Sequence, residues 1–238
     1  MFASWQALYE TRAVGVYALL VLPALFLGVL AVRGVARHGG VEPWAARFVR
    51  GWAIVFALTA LFDPIATGIL GWPLVPFVLL GDFRVFVLVL VVMQPGRRRA
   101  GLVAEALGWT MVVPVVAYGL YRGLGAARGQ PLEMVLWVLY ESAFTLLAAG
   151  IAVGLVPARV GAVRRPVRRY VHAVLGIVVL YYALWAAADG LILAGHDRGW
   201  AVRIVANELY YGAFVPLAYL LFFASRSAAT SRSTQAAR

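Results

Sequence analysis

Seven mostly apolar stretches of about twenty residues or more divide this chain, with only short connections between them. They run roughly 14–35, 46–70, 73–94, 102–122, 132–155, 171–194 and 203–224. A helix needs about 20 apolar residues to cross a bilayer's hydrocarbon core. The pattern predicts an all-α, polytopic integral membrane bundle of seven transmembrane helices. Residues 1–225 read as a single transmembrane domain and 226–238, rich in Ser, Thr and Ala, as a disordered cytoplasmic tail. No connection is long enough to hold a soluble domain. The first stretch follows a charged segment containing Glu10 and Arg12 and ends without a small-residue cleavage site, so it reads as a span and not as a signal peptide.

Composition agrees. Of 238 residues 63% are hydrophobic and 13% charged, the latter about half of what soluble domains carry. The net charge of +11 comes with 21 basic residues, all of them Arg. These arginines sit in short clusters between apolar runs, which is the membrane pattern and not that of a nucleic-acid surface.

Their distribution orients the chain. Arg33, Arg37, Arg47 and Arg50 fall between spans 1 and 2, and Arg97, Arg98 and Arg99 between spans 3 and 4. Arg159, Arg164, Arg165, Arg168 and Arg169 fall between spans 5 and 6, and Arg226, Arg232 and Arg238 in the tail. The alternate connections and the N-terminal segment hold only Arg12, Arg122, Arg128, Arg198 and Arg203. Fifteen against five, in strict alternation, places the N-terminus outside and the C-terminus in the cytoplasm of a bacterial inner membrane.

Several chemistries are excluded. A covalently bound retinal needs a lysine amine, and there is no Lys. There is no Cys, and His38, His172 and His196 are scattered, so neither a metal site nor any other cofactor is expected.

The informative residues are the charges inside the spans. Asp63, Asp82, Glu141, Asp189 and Glu208 lie there, together with Arg84. Each ionised carboxylate at the bilayer centre costs at least about 2.5–3.5 kcal/mol, so such groups pair with one another or line a cavity. Counting from the helix ends places all five acids roughly 7–14 Å below the outer surface. Helical spacing adds neighbours: Thr59 and Thr67 to Asp63, Thr145 to Glu141, Tyr182 and Trp185 to Asp189, Tyr211 to Glu208. Pro64 predicts a break in span 2 beside Asp63. Asp82 and Arg84 do not face each other on a helix, so each is expected to pair with another span. Glu105 falls in the first turn of span 4, facing water or the helix N-terminus. Gly150 and Gly154 form a GxxxG expected to serve helix packing.

An internal offset of 126 relates Ala57, Leu58, Ala60 and Asp63 to Ala183, Leu184, Ala186 and Asp189, and Asp82 to Glu208. It suggests a parallel 3+1+3 repeat with span 4 as connector.

These features point to binding or transport of a cation, a proton or a small polar or cationic solute from the lipid-embedded bundle. The expected ligands are Asp63, Asp82, Arg84, Glu141, Asp189, Glu208, Tyr182 and Tyr211, with cation–π support from the aromatic rings. Two alternatives share the residues: a lipid- or isoprenoid-directed enzyme working through paired carboxylates, and an accessory subunit or sensor whose acids only join helices. A structural role predicts every acid satisfied by protein partners and no cavity.

Overall fold

A computed structural model describes residues 4–11, 14–38, 43–68, 70–128, 133–161 and 165–224. The expected tail, 226–238, lies outside the described residues. Among them there is helix and no strand.

The elements are α1 (Trp5–Glu10), α2 (Val14–His38), α3 (Trp44–Gly68), α4 (Leu74–Met93), α5 (Arg99–Arg128), α6 (Glu133–Gly150), α7 (Val156–Val160), α8 (Arg165–Leu193) and α9 (Arg198–Asn207). A π-helical turn, Ile151–Leu155, joins α6 to α7, and a second, Glu208–Ala213, carries α9 onward to Ala224. Six helical segments are long and apolar enough to cross a membrane: Trp44–Thr67, Leu74–Met93, Arg99–Gly125, Val135–Val160, Arg165–Leu193 and Arg198–Ala224. α2 contributes a shorter apolar stretch, Leu25–Ala36.

α4 is apolar all round, and this explains its place. Gly81, Asp82 and every residue from Arg84 to Met93 are buried, with α3, α5 and α8 packed around it. Trp52 of α3 ties its indole N–H to the Arg84 carbonyl at 3.0 Å. The other helices bury one stripe and leave Leu, Val and Phe facing outward, as lipid-facing surfaces do.

α5, α8 and α9 start earlier than the apolar runs suggest, taking in Arg99, Arg165, Arg168, Arg169 and Arg198. Long arginine stems let a helix continue past the apolar boundary while the guanidinium reaches polar surroundings. Glu105 lies nearly two turns into α5 and not in its first turn, because the helix starts at Arg99; it pairs with Arg97 and Arg159, pinning α5 to α7 at the arginine-rich face.

Two expectations are corrected. α3 runs unbroken through Pro64, as α2 and α5 do through Pro23 and Pro114. One turn on, the Thr67 hydroxyl donates to the Asp63 carbonyl at 2.9 Å. Gly150 and Gly154 face outward, and a Cβ at either would meet nothing within 4 Å, so the GxxxG packs no helix among the described residues.

Two other glycines do set close approaches. A Cβ at Gly199 would come 2.7 Å from the Ala188 carbonyl, so α9 can lie this close to α8 only with Gly there. A Cβ at Gly81 would strike the Tyr210 ring, 2.7 Å from its Cζ. The first contact brings Arg203 to Asp189, and the second lets Tyr210 lean over α4.

Candidate functional site

The end of the bundle opposite the arginine-rich connections holds a cavity of about 170 Å³. It is built from α1, the start of α4, the start of α6, the second half of α8, the second half of α9 and the π turn that follows it. Seven aromatic residues line it: Tyr9, Trp137, Tyr140, Tyr182, Trp185, Tyr210 and Tyr211. Leu74 and Val78 close one side, and Glu141, Arg203 and Asn207 supply the remaining polar groups. The rings support one another: Tyr182 stacks on Phe144 at 4.1 Å, and Trp185 and Tyr210 lie 4.8 Å apart. Trp185 is oriented further by its indole N–H, which donates to Asn207 Oδ1 at 2.9 Å.

Asp82 is fully buried behind this wall. The Tyr140 hydroxyl donates to one of its carboxylate oxygens and the Tyr182 hydroxyl to the other. One acid thereby fixes two cavity-lining rings from two different helices, α6 and α8.

Arg84 is held by a device the sequence does not announce. In the second π turn the Phe214 N–H bonds to the Leu209 carbonyl, five residues back. This releases the Tyr210 carbonyl, the ordinary acceptor for Phe214 in an α-helix. Arg84 Nη2 donates to that carbonyl at 2.7 Å, with its guanidinium 4.1 Å from the Tyr210 ring centre. The first π turn repeats the arrangement. Val156 N–H bonds to Ile151, and the released Ala152 carbonyl lies 2.9 Å from His172 Nε2 of α8.

On the other wall Arg203 pairs with Asp189 and donates its Nε to the Tyr9 hydroxyl at 3.2 Å. Glu141 faces this pair. Glu141 Oε2 and Asp189 Oδ2 are buried and have no hydrogen-bond partner among the described residues. α1 covers the region. Its first backbone amides, at Trp5 and Gln6, donate to Asp197 at 2.9 and 3.0 Å, and Tyr9 packs on Trp200.

Of the eight residues singled out in the sequence, Glu141, Tyr182 and Tyr211 line the cavity. Asp82, Arg84 and Asp189 sit one layer behind, gripping its lining residues. Asp63 is buried against Tyr211 and Thr67. Glu208 lies on the π turn, its buried Oε1 without a partner among the described residues, and is not part of the wall. Sequence reading passes over Tyr140, Tyr210, Asn207 and the site role of Arg203. Arg203, Asn207, Tyr210 and Tyr211 nevertheless recur at helical spacing, a one-face pattern that could have found them.

Among the described residues no group of three His, Asp or Glu side chains could hold a metal ion. No family model matches this chain, and neither a curated protein nor a solved structure matches it. The fold and the apolar helices suit a multi-pass helical membrane protein.

Proposed function

We propose that this chain is a multi-pass protein of a bacterial inner membrane that binds a small organic cation, an alkylammonium, from the outer side, as a transporter or receptor of such solutes. α2 serves as the first of seven spans, with the N-terminus outside. One observation carries the reading. Glu141 lines a cavity whose wall is mostly aromatic, and one of its carboxylate oxygens is buried with no hydrogen-bond partner among the described residues.

The charge balance supports a cation. Glu141 and Asp189 share one arginine, Arg203, and Asp63 and Asp82 share Arg84. Each group carries one acid in excess, and a buried excess charge draws in a cation or a proton. Aromatic faces add cation–π attraction of up to about 2 kcal/mol each when desolvated. The volume of about 170 Å³ suits a small ligand.

Acids that served only to join helices would be satisfied by protein partners, and three carboxylate oxygens have none among the described residues. General acid–base work by Asp82 draws little support, because tyrosine hydroxyls occupy both its oxygens.

The proposed repeat gains support from Arg84 and Tyr210. They are 126 positions apart, the same offset that relates Asp63 to Asp189, and they touch. Residues equivalent across a pseudo-twofold axis meet where they lie on it.

Thermal stability of the purified protein against a series of ammonium ions tests the reading. A ligand stabilises by mass action. Tetramethylammonium is expected to raise the midpoint of wild type in a saturable way and to leave Glu141→Gln unmoved. An equal response from both, or from neither, contradicts the proposal.

A further inference from the structure

A second cavity, of about 370 Å³, lies at the opposite, arginine-rich end of the bundle, between α3, α4 and α5. Its walls are Phe48, Val87, Val91, Leu102 and Val103, and Trp44, Arg47 and Arg99 stand at its mouth. The Arg99 guanidinium lies 5.7 Å from the Trp44 ring centre. Val87 and Val91 belong to the buried helix α4, so the groove reaches deep into the bundle. Arg47 and Arg99 are exposed on either side of it.

We infer that this groove is a binding site for one anionic phospholipid, with an acyl chain against Val87, Val91 and Val103 and the phosphate between Arg47 and Arg99. The inference rests on the membrane reading of the fold and is independent of the cation site. An apolar slot rimmed by a tryptophan and two arginines matches a lipid at the level where chain meets headgroup. Guanidinium groups recognise phosphate in a bidentate way. The charge chooses between headgroups. A zwitterionic lipid would bring a quaternary ammonium beside the Arg99 guanidinium, and an anionic one would not.

The test is retention of phosphatidylglycerol against phosphatidylcholine, measured by native mass spectrometry on protein in a neutral detergent with both lipids supplied. Wild type is expected to keep one phosphatidylglycerol preferentially. Arg47→Gln combined with Arg99→Gln should weaken that preference by about tenfold. Val103→Trp, which fills the slot and keeps both arginines, should abolish retention of the single tight lipid. Arg168→Gln combined with Arg169→Gln, at the same face and outside the groove, should retain it. Loss of preference in the Arg168/Arg169 variant to the same degree would mean that the general basic surface acts, overturning the site. So would undiminished retention in Val103→Trp, or equal retention of the two lipids by wild type.

Discussion

Arg84 Nη2 and the Tyr210 carbonyl are joined at 2.7 Å because the helix at Tyr210 is wound by one residue more than an α-turn. The contact links α4 to the helix carrying Arg203, Asn207, Tyr210 and Tyr211, so the buried charge holds one cavity wall in place. Replacing Arg84 by Met removes the donor to the Tyr210 carbonyl that the π turn releases. The expected cost is about 1.5–3 kcal/mol, the scale for a hydrogen bond made by a charged group. Unfolding in detergent measures it. A loss under about 1 kcal/mol would mean that the π turn holds itself.

Asp82 should act through the two tyrosine hydroxyls. Tyr140→Phe and Tyr182→Phe are each expected to cost about 1.5–3 kcal/mol, as hydrogen bonds to a charged group do. In an Asp82→Leu background the same changes should cost close to nothing. A double-mutant cycle reads the coupling directly, and additive effects would contradict the caging of Asp82.

Gly81 makes room for Tyr210. Gly81→Ala is expected to destabilise by about 1–3 kcal/mol through overpacking and to weaken cation binding along with it. Tyr210→Phe removes the hydroxyl but leaves the ring carbon that a Cβ would meet at 2.7 Å, so it should rescue only in part. Tyr210→Ala relieves the clash but empties a buried site, so combined with Gly81→Ala it should cost less than the sum of the two single changes and should not restore binding.

Much of this arrangement is legible in the sequence. The apolar runs locate the helices, the arginines separate the two ends of the bundle, and the buried acids mark the end that holds the aromatic cavity. What escapes has physical causes. A π turn adds one residue to a helix without disturbing its apolar composition, so neither Tyr210 nor Ala152 signals a released carbonyl. Arg203 looks like a loop charge because the apolar run begins there, whereas α9 starts at Arg198 and turns it toward Asp189. Tyr140 looks like an interfacial aromatic until α4 brings Asp82 beside it. Pro64 misleads in the other direction, because a helix embedded among neighbours carries a proline without breaking.

α1 should govern entry to the cavity. Asp197 receives two of its first backbone amides, and the Tyr9 hydroxyl meets Arg203. Asp197→Ala is expected to cost about 0.5–2 kcal/mol of local stability, the range for losing a helix cap. Stopped-flow binding should show faster ligand entry and exit with a smaller change in affinity. Unchanged rates would mean that the ligand enters elsewhere.

Cation binding at Glu141 requires its carboxylate ionised, so affinity should rise with pH and each binding event should release protons. Asp189, Arg203 and Tyr9 surround the same region, and Glu141→Gln separates their contribution from that of Glu141. Calorimetric titration of tetramethylammonium into the purified protein, in two buffers of different ionisation enthalpy, measures affinity and proton release together. The predicted result is saturable binding to wild type with proton release, and loss of both in a folded Glu141→Gln variant. Binding of equal strength in that variant, or no binding to wild type at any pH at which it stays folded, would contradict the account.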